Sequence, residues 1–308
     1  MKAERPPGWL VDLSLAGVCL IWGATFILVK RALTDISTLL FLTLRFTAAA
    51  VVLALIFRKQ FRAPNLRMSL RAGMLAGLCL FSGYVLQTFG LKYTSAAKTG
   101  FITGLYIPLV PLFSGVIYKK IPQMSELCGI AAAFAGMALM TIQTDLTDIN
   151  RGDLLVAGCA VVYAFHILLL GRFAPSANLG VLIFAQIATG MGVGAGTFWW
   201  AEPLRVEWTS GVWTALIITS LFATALAFTV QTWAQRWSSP TRTALIFSME
   251  PVFAWATSYV LAGEILTRRA TLGAILILGG ILLVELKPRR DQKATIRELE
   301  TCNRKPEN

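Results

Sequence analysis

Long apolar runs with short polar breaks between them constrain the fold of this 308-residue chain more than any other feature. A helix needs about 20 mainly apolar residues to cross the hydrocarbon core of a bilayer. Helices suit that environment because every backbone N–H and C=O finds a partner within the segment. The runs lie near residues 12–30, 36–57, 69–91, 95–118, 125–142, 153–171, 178–200, 211–235, 240–262 and 270–286. The sequence therefore predicts an all-α membrane protein with ten transmembrane helices.

The composition argues against soluble and nucleic-acid-binding classes. Charged residues make up 14% of the chain, whereas an average soluble domain has about 25%. Lys and Arg outnumber Asp and Glu by 28 to 16. These basic residues stand in the breaks between apolar runs, so we expect no nucleic-acid partner. The five cysteines include no CxxC pair and the chain has one histidine, so we expect no metal site and no cofactor.

The distribution of basic residues predicts the orientation in the membrane. If both termini are cytoplasmic, the cytoplasmic segments hold 19 Lys and Arg residues and the opposite segments hold 8. That excess follows the positive-inside rule. The first apolar run lacks a small-residue cleavage site, so we expect it to remain as a signal-anchor. The sequence thus predicts a multi-pass protein of the inner (plasma) membrane, with a basic cytoplasmic tail over residues 287–308 near anionic headgroups.

The two halves of the chain match each other. Residues 12–17 read DLSLAG and residues 153–158 read DLLVAG, at an offset of 141. Gln87-Thr88 recurs as Gln231-Thr232 at an offset of 144. The same offset of 144 pairs Ser95 with Ser239, Lys98 with Arg242, Thr99 with Thr243, and Gly129 with Gly273. A nearly constant offset over most of the chain indicates an internal repeat.

Each repeat, over residues 12–142 and 153–286, holds five predicted spans. Because five is odd, the second repeat enters the membrane from the opposite side. Inverted repeats of this kind are typical of secondary transporters, whose substrate site lies near the midplane between the halves. The alternative is a membrane scaffold that arose by gene duplication.

Five short segments stand out within and beside the predicted spans: Trp22–Phe26, Arg45-Phe46, Gly90–Ala96, Glu250-Pro251 and Gly263-Glu264. In their order and spacing they resemble the EamA-type transporters of the drug/metabolite transporter superfamily. The resemblance covers residues 12–286. It implies a fold of ten helices and a central cavity lined mainly by spans 1, 3, 4, 6, 8 and 9, with spans 5 and 10 at the periphery. It also implies the export of amino acids, including aromatic ones, or the movement of other metabolites.

Three ionisable side chains lie deep in the predicted spans, where burial in lipid would be costly. Glu250 precedes Pro251, which can kink a helix. This carboxylate either binds a substrate amine, carries a proton, or forms a structural ion pair with Arg45. For Arg45 we favour the structural role. His166 either titrates near neutral pH and couples transport to protons, or stays neutral and hydrogen-bonded between helices.

Repeat positions extend the list of candidates. Thr25 and His166 are equivalent, and each follows an aromatic residue by three positions. Gln87 and Gln231, which occupy equivalent positions in the two repeats, either bind a carboxylate or amide of the substrate or join helices by hydrogen bonds. The tyrosines stack on a flat substrate, or pack towards lipid. The predicted substrate pathway comprises Trp22, Thr25, Tyr84, Gln87, Tyr106, Tyr163, His166, Gln231 and Glu250.

The sequence contains no GxxxxGK[ST] phosphate loop and no nucleophile–base pair. We therefore expect neither an enzyme nor an ATP-driven pump. The prediction is a secondary transporter that exports amino acids or related small metabolites, with the bilayer and a small-molecule substrate as partners and protons as one coupling option. The alternatives are uptake, efflux of nucleosides, amines or drugs, or a scaffold that transports nothing.

Overall fold

A computed structural model describes residues 5–62, 65–94, 96–119, 123–141, 149–262 and 267–285. Apart from one isolated bridge between Ile36 and Val206, the elements in these ranges are helices. The first half contains α1 (Gly8–Ala32), α2 (Thr38–Phe57), α3 (Leu66–Tyr93), α4 (Ala96–Thr103), α5 (Tyr106–Tyr118) and α6 (Met124–Thr141). The second half contains α7 (Arg151–Phe173), α8 (Leu179–Thr197), α9 (Ser210–Ser220), α10 (Ala227–Ala234), α11 (Pro240–Phe247), α12 (Glu250–Ala262) and α13 (Arg268–Glu285). A 3₁₀ turn (Arg58–Arg62) follows α2, and a π-helix (Leu221–Leu226) joins α9 to α10.

Seven helical segments of the described residues are long and apolar enough to cross a membrane. They are Gly8–Ala32, Thr38–Arg62, Leu66–Tyr93, Thr99–Ile117, Arg151–Phe173, Leu179–Thr197 and Ser210–Ala234, and Met124–Met140 is a shorter apolar helix. The α11–α12 segment is interrupted at residues 248–249, and α13 carries charged residues at both ends. The all-helical prediction is confirmed for these ranges, whereas the count of ten crossings stays a prediction.

Polar residues cap several helices. Ser239 accepts a hydrogen bond from the backbone N–H of Arg242 at 3.2 Å, and Pro240 occupies the first turn of α11, as its fixed φ favours. Asn150 and Asp153 form a reciprocal capping box at the start of α7. These caps satisfy backbone donors that lie near the ends of membrane segments, where unpaired groups are costly.

The outer surface of the helical bundle is apolar. Leu55, Val116 and Leu154 are each at least two-thirds exposed, although large exposed apolar patches are rare on soluble monomers. Trp199, Trp200 and Trp208 lie exposed beyond the end of α8 and before α9. Tryptophans at such positions typically mark the membrane–water interface. This surface is the one expected of a protein that faces lipid.

Loops at one end of the bundle tie the two halves together. The side chain of Asp35, between α1 and α2, accepts a hydrogen bond from Thr209 Oγ1 at 2.9 Å, and its backbone C=O accepts one from Glu207 N at 2.8 Å. Hydrogen bonds from Thr34 and Thr209, together with the charge of Arg205, lower the pKa of Asp35 from its usual value. The loop before α9 is thereby fixed against the loop after α1.

Helices α6 and α13 cross at pairs of glycines. A Cβ built on Gly280 would lie 2.5 Å from the carbonyl oxygen of Gly129, and one built on Gly136 would meet the carbonyl oxygen of Gly273. Only glycine permits backbones to approach this closely, as in small-residue interfaces of other membrane helices. The crossing therefore depends on the absence of side chains at these four positions.

Adjacent glycines of α13 provide a matched test of this contact. Gly280→Ala places a methyl group against the α6 backbone, whereas a Cβ on Gly279 has no neighbour within 4 Å. Overpacking of this kind costs about 1–3 kcal/mol, so Gly280→Ala should lower the thermal unfolding midpoint of the purified protein in detergent. Gly279→Ala should not lower it. Equal midpoints for the two variants would contradict the close crossing.

A cavity between the two halves

A cavity that is partly open to the surroundings lies between helices of both halves, and the empty space within it and its mouth amounts to about 800 Å³. All nine residues of the predicted substrate pathway line it, as does Arg45. The other lining residues are Val29, Leu80, Thr88, Leu91, Thr103, Ile167, Phe228 and Phe247. The structure thus brings together side chains that are up to 228 positions apart in the sequence, from Trp22 to Glu250.

The cavity reaches towards one end of the bundle and is closed at the other. On α1 its lining runs from Trp22 to Val29, near the end of that helix. Leu15 and Cys19, in the first half of α1, are buried in the apolar core instead. Beyond them the guanidinium of Arg242 binds both carboxylate oxygens of Asp12, with Nε 2.9 Å from Oδ1. This ion pair joins α1 to α11 at the closed end.

Two breaks in the helices face the cavity at equivalent positions. In the first half α4 ends at Thr103 and α5 begins at Tyr106; in the second, α11 ends at Phe247 and α12 begins at Glu250. Each boundary recurs at an offset of 144. The four boundary residues all line the cavity. Discontinuous helices with this placement are a feature of binding sites in membrane transporters.

Glu250 occupies the second of these breaks. Pro251, which the sequence suggested could kink a helix, lies in the first turn of α12. Proline is tolerated in a first turn but not in a helix interior, so the chain begins a new helix here. Gly23 of α1 packs against this break, where a Cβ would lie 2.9 Å from the Glu250 carbonyl oxygen. Among the described residues the Glu250 carboxylate forms no hydrogen bond and no ion pair. The structural pair with Arg45, one of the sequence alternatives, therefore does not form in this structure.

Arg45 binds neutral oxygens instead. Its Nε donates to Thr224 Oγ1 at 2.7 Å, and its Nη2 donates to Tyr84 Oη at 3.0 Å and to the Ala223 carbonyl oxygen at 3.2 Å. The guanidinium carbon also lies 4.6 Å from the centroid of the Tyr84 ring. Trp22 Nε1 donates to the same carbonyl of Ala223 at 3.0 Å. Arg45 thus links α2 and α3 to the segment between α9 and α10.

The π-helix supplies the acceptors for these contacts. Residues 221–226 leave the regular α-helical pattern, and Ala223 and Thr224 lie in the middle of that segment. A π-turn shifts carbonyl oxygens away from their usual intrahelical donors, which frees them for side chains such as Arg45 and Trp22. Sequence reasoning missed Thr224 and Ala223. The sequence around them is an uninterrupted apolar run with a few hydroxyl residues. Because such runs are common in membrane helices, this pattern does not single out either residue.

The protonated nitrogen of His166 follows from its hydrogen-bond network. His166 is 2% exposed, and its Nε2 lies 3.0 Å from Gln186 Oε1. Gln186 Nε2 donates to Thr232 Oγ1 at 3.0 Å, while the Thr232 hydroxyl donates to the Phe228 carbonyl at 2.6 Å. Because Thr232 has one proton, it can only accept from Gln186, so the Gln186 oxygen must accept from His166. Nε2 of His166 therefore carries a proton.

The paired glutamines differ in their contacts. Gln87 Nε2 donates to Thr103 Oγ1 at 3.0 Å and so joins α3 to α4. Gln231 Nε2 donates to Gln235 Oε1 at 3.1 Å, and Gln235 Nε2 in turn donates to the Ile167 carbonyl at 2.8 Å. This chain fixes the orientation of both amides. It leaves Gln231 Oε1 buried without a hydrogen-bond partner, which is unusual for a buried acceptor.

Aromatic rings form the apolar wall of the cavity. The Trp22 ring centroid lies 5.1 Å from that of Phe247, and the Tyr84 centroid lies 6.0 Å from that of Tyr163. Tyr163 packs directly against Gly83, where no side chain intervenes. Tyr84 and Tyr106 are less than a tenth exposed. These tyrosines line the cavity rather than the lipid-facing surface.

The buried network around Gln186 can be tested by coupled substitutions. Gln186→Leu leaves two polar partners unpaired, and Thr232→Val leaves one donor of Gln186 unpaired, each at a cost of about 1–3 kcal/mol. Because the two losses overlap, the double variant should be more stable than the sum of the single effects predicts, by about 1 kcal/mol. Unfolding in detergent measures this coupling energy.

Thr229→Val is the matched control, because Thr229 Oγ1 donates to the carbonyl of Ala225, four residues earlier, and has no other partner among the described residues. Its effect should add to that of Gln186→Leu. Additive effects for the Gln186 and Thr232 pair as well would contradict the network and the assignment of the His166 proton.

The similarity to known proteins extends over both halves of the chain. The model of the EamA-like transporter family matches the chain twice, over residues 9–142 and 150–286. An uncharacterized transporter of Archaeoglobus fulgidus is 34% identical over 286 residues, which cover 92% of this chain and 89% of that protein. The uncharacterized inner membrane transporter YedA of Escherichia coli K12 is 22% identical, with 89% of this chain and 90% of that protein covered.

A solved crystal structure has the same fold, with a TM-score of 0.77 at 18% sequence identity, and covers 91% of this chain and 98% of its own. The family model and the relatives span both halves and therefore the whole cavity. The chain is a membrane transporter that belongs to the EamA-like transporter family.

Proposed function

We propose that this protein is a secondary transporter that exports amino acids or related small metabolites across the inner membrane. The observation that carries the proposal is the cavity, in which the Glu250 carboxylate, unpaired among the described residues, faces a wall of aromatic rings. A carboxylate at a helix break suits a substrate ammonium group, and the rings suit an apolar or flat side chain. In this proposal the nine predicted pathway residues contact the cargo or its path.

The proposed architecture has ten spans in two inverted repeats, over residues 12–142 and 153–286. The double match of the family model supports it. So does the packing of helices: exchange of the halves maps α1 onto α7, α2 onto α8, α3 onto α9–α10, and α6 onto α13. Under this exchange the packing of α3 on α7 corresponds to that of α9 and α10 on α1, and both contacts are present.

The glycine contacts between α6 and α13 are also consistent with a twofold relation between the halves. Gly129 and Gly273 are repeat equivalents, as are Gly136 and Gly280, at an offset of 144. Gly129 contacts Gly280, and Gly136 contacts Gly273. A twofold axis that relates the halves turns the first contact into the second. This self-complementary contact is what an inverted repeat about an in-plane axis requires.

Alternating access follows from the symmetry. The ion pair between Asp12 and Arg242 closes one end of the cavity. The equivalent pair in the other repeat is Asp153 with Lys98, at the other end of the bundle. Asp153 accepts a hydrogen bond from Thr94 Oγ1 at 2.8 Å. The side chain of Lys98 is not among those that the structure describes. In the proposed cycle the two pairs take turns in closing the cavity. With both termini cytoplasmic, the present state opens away from the cytoplasm.

A transport assay with reconstituted protein tests the function. Proteoliposomes are given a panel of labelled amino acids, nucleosides, amines and organic acids, and flux is followed in both directions. Flux of amino acids that exceeds that of empty liposomes is the expected result. Flux confined to nucleosides or to drug-like amines would reassign the substrate, and a folded protein without flux for the whole panel would favour the scaffold.

Glu250→Gln keeps the shape of the side chain and removes the charge. Because the carboxylate is proposed to bind the cargo ammonium or to carry a proton, amino-acid transport should fall at least about tenfold, which corresponds to 1.4 kcal/mol. Glu207→Gln makes the same chemical change at an exposed loop position and should transport normally. Normal transport by Glu250→Gln across pH of about 5.5 to 8 would contradict the role of Glu250.

A further inference from the structure

Arg45 is a buried cation without a charged partner in the part of the chain that the structure describes. The residue is 4% exposed, and its hydrogen bonds go to a threonine hydroxyl, a tyrosine hydroxyl and a backbone carbonyl. Among the described residues no carboxylate lies within ion-pair distance of it. An uncompensated charge deep in a membrane protein is costly, and such residues commonly face a wet cavity or a ligand. The structural contacts alone therefore leave the charge of Arg45 unexplained.

The hydrogen bonds hold the guanidinium in one orientation and leave one nitrogen unused. Nε is fixed by Thr224, and both protons of Nη2 are directed to Tyr84 and to the Ala223 carbonyl. Nη1 has no partner among the described residues, and Arg45 lines the cavity. A guanidinium that is already immobilised loses little conformational entropy when it binds an anion. These features are those of a preorganised anion site.

An acceptor lines the same cavity. Among the described residues the Glu250 carboxylate forms no hydrogen bond and no ion pair. The cavity therefore offers N–H donors at Arg45 and a carboxylate acceptor at Glu250. A molecule that carries both an anionic and a cationic group satisfies both residues, whereas a plain amine leaves Arg45 unpaired.

We propose that Arg45 is the anion-binding residue of the cavity, so that the cargo must carry a carboxylate and Arg45 excludes amines that lack one. This inference rests on the proposed function, since it assumes that the cavity holds the cargo. It assigns the cargo to zwitterions, with the carboxylate at Nη1 of Arg45 and the ammonium at Glu250. Neutral nucleosides and cationic drugs fall outside this class.

Binding to the purified protein in detergent tests the proposal without passive leakage through lipid. Calorimetry compares L-phenylalanine with 2-phenylethylamine, which lacks the carboxylate, and with 3-phenylpropionate, which lacks the ammonium. The corresponding three compounds with a leucine side chain extend the comparison. The wild-type protein should bind a zwitterion at least about tenfold more tightly than its amine. This arm needs no variant, so it stands even if Arg45 substitutions fail to fold.

The variants then assign the preference to Arg45. Arg45→Gln should lose the preference, so that zwitterion affinity falls towards that of the amine while amine affinity is unchanged. Arg45→Lys should keep part of it. Thr224→Val removes the contact that holds Nε but keeps the charge, so zwitterion affinity should fall while a preference over the amine remains. A merely structural role would make Arg45→Gln and Thr224→Val alike.

The outcomes separate this proposal from the proposed function. Binding of the carboxylic acid forms, without binding of amino acids, would support Arg45 and refute amino-acid transport. Amines that bind the wild-type protein as tightly as the zwitterions would overturn the role of Arg45. So would an Arg45→Gln variant that retains the preference for carboxylates.

Discussion

Lipid provides no hydrogen-bond partners for the backbone, and the architecture of this protein follows from that constraint. Regular helices satisfy their own N–H and C=O groups and can face lipid. Breaks in a helix expose such groups and must lie inside the protein. The breaks after Thr103 and Phe247 do so, since the residues on either side of each break line the cavity. The π-helix at residues 221–226 likewise directs its free carbonyl to Trp22 and Arg45.

The sequence predicted the parts of this account that depend on periodicity and repetition. Long apolar runs predict helices because few other structures tolerate them, and the nine pathway residues were found because equivalent positions and buried polar types stand out in an apolar sequence. All nine line one cavity. Their role as a pathway stays a prediction, as do the domain boundaries, because cavity geometry alone does not show passage of a substrate.

The partners of individual side chains were beyond the reach of the sequence. Charge complementarity suggested a pair between Arg45 and Glu250, yet Arg45 binds Thr224 and Tyr84. A one-residue change of helical register, as in a π-helix, has no clear sequence signature, but it decides which carbonyl reaches the guanidinium. The network from His166 to Thr232 is likewise not predictable from the sequence, since nothing distinguishes Gln186 from other polar residues in apolar helices. The internal repeat predicts the arrangement of the helices, whereas these side-chain contacts differ between the two halves.

In a transporter that works by alternating access, one cavity becomes accessible from each side of the membrane in turn. The most direct test is the accessibility of Thr25→Cys in a chain whose native cysteines at 19, 79, 128, 159 and 302 have been replaced. Thr25 lines the cavity, and among the described residues its Oγ1 bonds the Trp22 carbonyl of its own helix and nothing else, so the change is mild. A membrane-impermeant thiol reagent should label the new cysteine both in intact cells and in inverted vesicles, and a transported amino acid should slow both reactions. Labelling from one side alone, with and without that amino acid, would contradict alternating access.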